Sequence, residues 1–224
     1  MLNSYRAVLF DLDGTLVDHS NAARAGVIAW SQELGIPPDP ARWQALEQQW
    51  FLAYEHGKLT HSGQRAARVR EYLHEPKLSE TAALQLFNGF LHQYIASMQP
   101  FSGAAEVLEQ CFDCGQLVGI ATNGAASLQT TKLRTTGLWD DRLIMLAAVE
   151  MEAAKPNPEF YTRALDIVGT APADTIMVGD TLPNDVLAPI AAGIVAIHVD
   201  HAGTGTTDPR YPTIRDLSEL LNAP

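Results

Sequence analysis

Asp11 and Asp13 stand two residues apart in the run Leu9-Phe10-Asp11-Leu12-Asp13-Gly14-Thr15, and Asp180 and Asp185 follow another apolar run far along the chain. Carboxylates repel, and two unit charges 4 Å apart cost about 4 kcal/mol at an effective dielectric near 20. Brought to one place, these acids need a cation or raised pKa values. A hard divalent ion held by oxygens is the economical answer, and Mg²⁺ suits a few carboxylates, waters and a phosphate. The chain has no histidine-rich cluster and no cysteines beyond Cys111 and Cys114, so zinc fits less well. A cation beside a free carboxylate suits phosphoryl chemistry. It screens an anionic nucleophile from an anionic phosphate, so an aspartate can attack phosphorus and carry the group as an acyl phosphate. A second carboxyl can protonate the departing alcohol and then deprotonate the hydrolytic water.

Other residues meet the remaining needs of that chemistry. Thr122-Asn123-Gly124 ends an apolar run and opens a helical pattern near Ala125, where a hydroxyl and backbone N–H groups make a site for phosphate oxygens. Lys155 lies in Ala154-Lys155-Pro156-Asn157-Pro158, a segment stiffened by two prolines. A lysine there can neutralise both the nucleophile and the transferring phosphoryl group. Gly14 lets the backbone approach a phosphate closely, and Thr15 can fix the turn.

These residues are positioned by a recurring pattern. Short apolar runs at 7–10, 117–121, 176–179 and 193–199 each stop abruptly in small or polar residues, and 143–149 offers a fifth. Such runs fit strands buried on both faces. Helical patterns at 103–115, 125–137, 158–168 and 183–192 separate them. Alternating strands and helices imply right-handed crossovers and an α/β fold, a parallel sheet flanked by helices. Ligands bind beyond the carboxyl ends of such strands, where Asp11, Thr122 and Asp180 fall.

Between residues 18 and 98 the strand-like runs give way to four helical stretches, at 21–34, 41–56, 64–74 and 82–98. Their starts and stops follow capping chemistry, with Asp39 and Pro40 opening the second and Ser79 preceding the fourth. Trp43, Leu46, Trp50 and Tyr54 recur at helical spacing and read, with Trp30, as a bundle core. The expected organisation is a core of residues 1–17 and 99–224 with an inserted helical cap, 18–98, seated over the strand ends.

A formal net charge of −11 argues against a nucleic acid polymer or an anionic membrane as the main partner. It leaves a small phosphate ester open, because a local cation reverses the field inside one cleft. No run of 18 apolar residues and no apolar leader is present, so a cytoplasmic protein is expected. Cys111 and Cys114 read as reduced thiols rather than half of a metal site. The oligomeric state is not legible.

Taken together, Asp11-Leu12-Asp13-Gly14-Thr15, Thr122-Asn123-Gly124, Lys155-Pro156-Asn157-Pro158-Glu159-Phe160-Tyr161 and Gly179-Asp180-Thr181-Leu182-Pro183-Asn184-Asp185 resemble the four motifs of the haloacid dehalogenase-like phosphohydrolases in order and spacing. The resemblance implies a Rossmann-like core with a cap of the C1 type inserted after the first motif. It casts Asp11 as nucleophile, Asp13 as general acid and base, and Thr122 and Lys155 as the phosphoryl-binding pair, with Asn123 and Gly124 beside Thr122. It makes Mg²⁺ the cofactor, held by Asp11, the Asp13 carbonyl and Asp180, with Asp185 as a supporting ligand or orienter. An acid at position 13 favours phosphate esters over carbon–halogen bonds. The stretch 123–129, with Lys132-Leu133-Arg134 and Thr136-Gly137-Leu138, is similar to the nucleotidase and acylneuraminate-phosphate phosphatase branch, which implies a nucleoside 5′-monophosphate or a sugar phosphate as substrate. Arg68 stands in the cap where related members carry an arginine, and the resemblance makes it a candidate substrate contact.

Other readings remain beside this one. A sugar phosphomutase of the β-phosphoglucomutase type shares every core motif, and a 2-haloacid dehalogenase or a non-catalytic binding protein can use the same fold. Arg65, Arg68 and Arg70 also read as a solvated helix face. His198 and His201 read as surface or loop histidines. The Gly203-Thr204-Gly205-Thr206 stretch is too short a signal to name a nucleotide site.

Overall fold

The computed structural model describes residues 2–203 and 208–221, so Thr204, Gly205 and Thr206 lie outside the described residues. The chain divides into two compact units, Met1–Asp18 with Gln99–Pro224, and His19–Met98.

The first unit is built on a fully parallel sheet. Strand β1 (Ala7–Phe10) lies centrally, paired on one side with β2 (Leu117–Thr122) and on the other with β4 (Thr175–Gly179). Beyond these lie β3 (Ile144–Ala147), β5 (Val195–Val199) and β6 (Thr213–Ile214), giving the order β3-β2-β1-β4-β5-β6. All four residues of β1 are buried, as expected of a strand covered on both faces. The fifth apolar run yields a shorter strand than its hydrophobicity suggests, because Ala148–Met151 winds into a short helix. Strand β6 is two residues long and leaves no readable pattern.

Register decides where the polar ends emerge. Phe10 pairs with both Ile120 and Val178, so the residues after β1, β2 and β4 leave the sheet at one edge. The strand order reverses between β1 and β4, which is the switch point where such sheets open a crevice. Helices α5 (Ala104–Asp113) and Pro158–Val168 connect strands, the latter opened by Asn157, whose side chain accepts from the Glu159 N–H, and closed by left-handed Gly169. After β4 the chain makes a π-helical turn, Leu182–Leu187, before a short α-helix, Ala188–Ala191. Such turns concentrate at functional sites.

The second unit is a four-helix bundle: α1 (His19–Glu33), α2 (Pro40–Glu55), α3 (His61–Tyr72) and α4 (Glu80–Ala96). Asp39, Thr60 and Ser79 cap α2, α3 and α4 through their side chains. Trp30, Trp43, Tyr72, Phe87, Phe90 and Tyr94 fill the centre with tilted, stacked and edge-to-face rings. Trp50 and Tyr54, at the same helical spacing as Trp43, are only half-buried. Gly26 allows α1 to approach α4, because a Cβ there would stand 2.8 Å from the Tyr94 backbone.

Candidate functional site

The turn after β1 carries the first acids. Asp11 is buried, and its N–H donates to the Val178 carbonyl at 2.9 Å, continuing the sheet for one more residue. Gly14 has a φ of +96°, and a Cβ there would stand 2.4 Å from Asp180 Oδ2. Glycine is therefore required both by the turn and by the acid packed against it. The Thr15 hydroxyl lies 3.3 Å from both Asp11 Oδ2 and Asp180 Oδ1.

Across the switch point, the π-helical turn folds Asp185 back over the end of β4. Gly179 makes room for it, since a Cβ there would meet Asp185 Cβ at 2.4 Å. The Thr181 N–H donates to Asp185 Oδ2 at 3.0 Å, leaving Oδ1 to face Lys155. Asp11, Asp180 and Asp185 thus bring carboxylate oxygens within 4.8 Å of one another.

Lys155 is set into this group. Its main chain exchanges two hydrogen bonds with the Asn123 side chain, at 2.7 and 2.8 Å. Its ammonium donates to Asp11 Oδ1, Asp185 Oδ1 and the Ala121 carbonyl, each at 2.7 Å. All three of its hydrogens are engaged, so it offers an incoming anion charge rather than a further hydrogen bond.

One ammonium does not balance three carboxylates. Burial pushes the Asp11 carboxyl well above its ordinary value, Lys155 opposes this, and Asp185 and Asp180 add to the push. Asp180 is raised to about 6 by burial and by Asp185, against Lys155 and Thr15. Burial works to lower the Lys155 pKa, but Asp11 and Asp185 outweigh it and hold the ammonium above the usual lysine range. The surplus negative charge and the all-oxygen donor set fit a hard divalent cation.

Asp13 points elsewhere. Its side chain is not in the three-carboxylate group; it meets Lys132 Nζ at 2.6 and 2.5 Å and Gln129 Nε2 at 3.0 Å. Both partners come from α6 (Ala126–Thr135), the helix after β2. Thr122 is buried at the end of β2, and its Oγ1 accepts from Gln129 Nε2 at 2.5 Å and from the Gly124 N–H at 3.1 Å. The first N–H of α6, on Ala126, is held by the Glu150 carboxylate at 3.0 and 3.1 Å, so this helix end does not present every donor to a ligand.

The structure therefore gathers these residues into two hydrogen-bonded groups, Asp11, Asn123, Lys155, Asp180 and Asp185 in one and Asp13, Thr122 and Gly124 in the other, joined through the chain at Thr122-Asn123-Gly124. Arg68 belongs to the helical unit and is not on a solvated face. It is 3% exposed, its Nη1 meets Glu47 at 2.9 Å, and its guanidinium lies over the Trp43 and Phe87 rings. Its Nε and Nη2 are buried with no hydrogen-bond partner among the described residues.

Sequence reasoning missed several supports. Gln129 and Lys132 stand three residues apart, a spacing that puts both on one helix face. His198 and His201 are not plain surface residues: His198 is buried on β5 with Nε2 3.1 Å from the Asp180 carbonyl. His201 stacks on Phe101 at 3.7 Å with Nε2 3.1 Å from the Thr15 carbonyl. Each braces the backbone of a turn that carries an acid, and periodicity does not reveal that. Cys111 is buried and Cys114 exposed, both free, and burial pushes the Cys111 thiol up to about 12.

Residues 5–193 match the haloacid dehalogenase-like hydrolase family. The chain is 28% identical over 205 residues to the ribulose-1,5-bisphosphate 5-phosphatase of Halopiger xanaduensis, covering 87% of this chain and 84% of that one. It is 30% identical over 197 residues to the phosphoglycolate phosphatase of Xanthomonas campestris, covering 86% and 81%. It is 28% identical over 153 residues to the pyrimidine 5′-nucleotidase YjjG of Escherichia coli, covering 68% and 66%. Among solved structures, the putative hydrolase YfnB of Bacillus subtilis, bound to magnesium, superposes with a TM-score of 0.84 at 22% identity over 96% of each chain. The defluorinating L-2-haloacid dehalogenase Rha0230 superposes with a TM-score of 0.77 at 21% identity, over 96% of this chain and 93% of that one.

Proposed function

Because the chain belongs to the haloacid dehalogenase-like hydrolase family, we propose that it is a divalent-cation-dependent phosphatase. It moves the phosphoryl group of a small ester first to Asp11 and then to water. The observation that carries this reading is the crowding of Asp11, Asp180 and Asp185 around one ammonium at the switch point.

Asp11, Asp180 and the Asp13 carbonyl would hold Mg²⁺, with Asp185 supporting. When bound, the ion supplies charge that lets an anionic ester approach an anionic nucleophile. Asp11 Oδ1 is fixed by Lys155, which leaves Oδ2 to attack phosphorus. Thr122 donates its hydroxyl hydrogen to a phosphate oxygen, and the main-chain N–H of Asn123 lines the same place, while the Gly124 N–H orients the Thr122 oxygen. The Asn123 side chain serves Lys155 instead. Asp13 gives its proton to the departing alcohol and takes one from the attacking water. A dehalogenase has no use for a cation site of three carboxylates or for an acid at position 13. The dehalogenase neighbour, at 21% identity, supports the fold alone.

The substrate is a small phosphomonoester. The relatives are named for a sugar bisphosphate, a phosphorylated two-carbon acid and a pyrimidine nucleotide, so nucleoside 5′-monophosphates, sugar phosphates and phosphoglycolate form the first panel. No described helix is long and apolar enough to cross a membrane. Phosphate release with Mg²⁺, abolished by EDTA and restored by added Mg²⁺, is the expected result. Hydrolysis unaffected by chelation would remove the cation from the reading, and an isomerised sugar phosphate without free phosphate would replace hydrolysis with mutase activity.

The cation also has a signature that needs no turnover. An acid whose pKa is raised in the folded state favours folding most below its unfolded value and loses that contribution as pH rises through the folded value. For Asp180 that window runs from the ordinary carboxyl value of 3.8 to about 6. Without metal, Asp180→Asn should match the parent at pH 4 and melt roughly 3–6 °C higher at pH 7.5. Millimolar Mg²⁺ should close that gap by raising the parent alone. Equal melting temperatures at both pH values would show that the acids are not under the strain described.

A further inference from the structure

We infer that Gln129 and Lys132 are positioning residues that tie the Asp13 carboxylate and the Thr122 hydroxyl into one unit. The inference rests on the phosphatase reading, in which Asp13 exchanges protons and Thr122 holds phosphate. Gln129 is 1% exposed, and its amide nitrogen uses one hydrogen on Asp13 Oδ2 and the other on Thr122 Oγ1. The opposite amide orientation would turn the carbonyl oxygen onto a carboxylate. Its Oε1 is consequently buried with no hydrogen-bond partner among the described residues. An unpaired buried carbonyl is costly, a cost that leucine or methionine at the same place would not incur. The amide is thus held against its own interest by what its nitrogen does.

The effect on Thr122 is specific. A hydroxyl has one hydrogen and two lone pairs. Gln129 Nε2 and the Gly124 N–H occupy both lone pairs, so the Thr122 hydrogen is left to be donated. Gly124 is constrained by the same amide, since a Cβ there would stand 2.7 Å from Gln129 Nε2. Lys132 fixes the other end. Its nitrogen reaches both oxygens of Asp13, and its side chain is 4% exposed where that of Asp13 is 27% exposed. A rigid, buried cation therefore grips the more open acid in a single rotamer.

The test uses the full chain with Mg²⁺ and substituted phenyl phosphates, from p-nitrophenyl phosphate to phenyl phosphate, with inorganic phosphate as inhibitor. A good leaving group needs little proton donation, so a misplaced acid shows as a steeper dependence on the leaving group. Lys132→Met should lose roughly 10- to 100-fold more kcat on phenyl phosphate than on p-nitrophenyl phosphate, within the range typical of general acid catalysis. Lys132→Arg should restore the shallow dependence. Gln129→Leu should melt no lower than the parent yet weaken inhibition by inorganic phosphate about tenfold, the loss of one hydrogen bond to a charged group. Equal losses across the series, or unchanged values, would overturn the role of Lys132. Unchanged phosphate inhibition in Gln129→Leu would overturn that of Gln129, and it decides the matter alone if Lys132→Met does not fold. A parent inactive on every ester would instead overturn the phosphatase reading and the inference with it.

Discussion

Asp11→Asn is expected to abolish phosphate release, by on the order of 10⁴-fold or more as for loss of other catalytic nucleophiles, while leaving the protein folded. The chemical half of that result follows from position. In the proposed reaction Asp11 forms the bond to phosphorus, and the nearest acids, Asp180 and Asp185, are shared with the cation and Lys155. The stability half follows from strain. Burial and the neighbouring carboxylates disfavour a charge on Asp11, whereas an isosteric amide brings none. The urea midpoint of Asp11→Asn should equal or exceed that of the parent. Acid-quenched parent enzyme should retain substrate phosphate on the protein, and the variant should not. Residual turnover within tenfold of the parent would assign the nucleophile elsewhere.

Lys155→Met should be the most damaging single change to stability. It removes the one cation from between Asp11 and the 1% exposed Asp185, leaving two buried carboxylates facing each other. Breaking a buried pair by deleting one partner costs about 3–5 kcal/mol. Lys155→Arg should recover only part of this, because a planar fork does not reproduce three bonds converging on one nitrogen. Adding Asp11→Asn to Lys155→Met should return some of the loss, since one of the stranded charges disappears. Urea unfolding of the parent, the Lys155→Met and Asp11→Asn variants and the double variant measures this cycle. A Lys155→Met protein within 1 kcal/mol of the parent would mean the acids are relieved some other way.

The parallel sheet was legible because strands covered on both faces must be apolar throughout, and β1, β2, β4 and β5 announce themselves that way. Their abrupt polar ends located Asp11, Thr122 and Asp180 at one edge before any coordinates. Strand β6 carried no such signal, being two residues at the rim. Within the site, residues on strand ends could be found from pattern and order, but those that steady them could not. Gln129 and Lys132 look like any polar pair on a helix until β2 sets the angle of α6. His198 and His201 serve backbone carbonyls, and a carbonyl leaves no mark in the sequence. The solvated-face reading of Arg68 fails for a related reason. An arginine on a helix usually faces water, and only the aromatic rings around it show that this one is enclosed.

Strand β1 leaves the ribosome before its partner strands and is among the last able to settle. Its hydrogen-bonding neighbours begin at Leu117 and Thr175, so four consecutive apolar residues wait until residues 117–122 and 175–179 have been synthesised. The bundle of residues 19–98, whose contacts are local, can close during that interval. The nascent chain thus carries an early-folding helical unit behind a sticky, unpaired strand. Any truncation ahead of β4 would release a product whose most aggregation-prone segment has lost the partner that hides it.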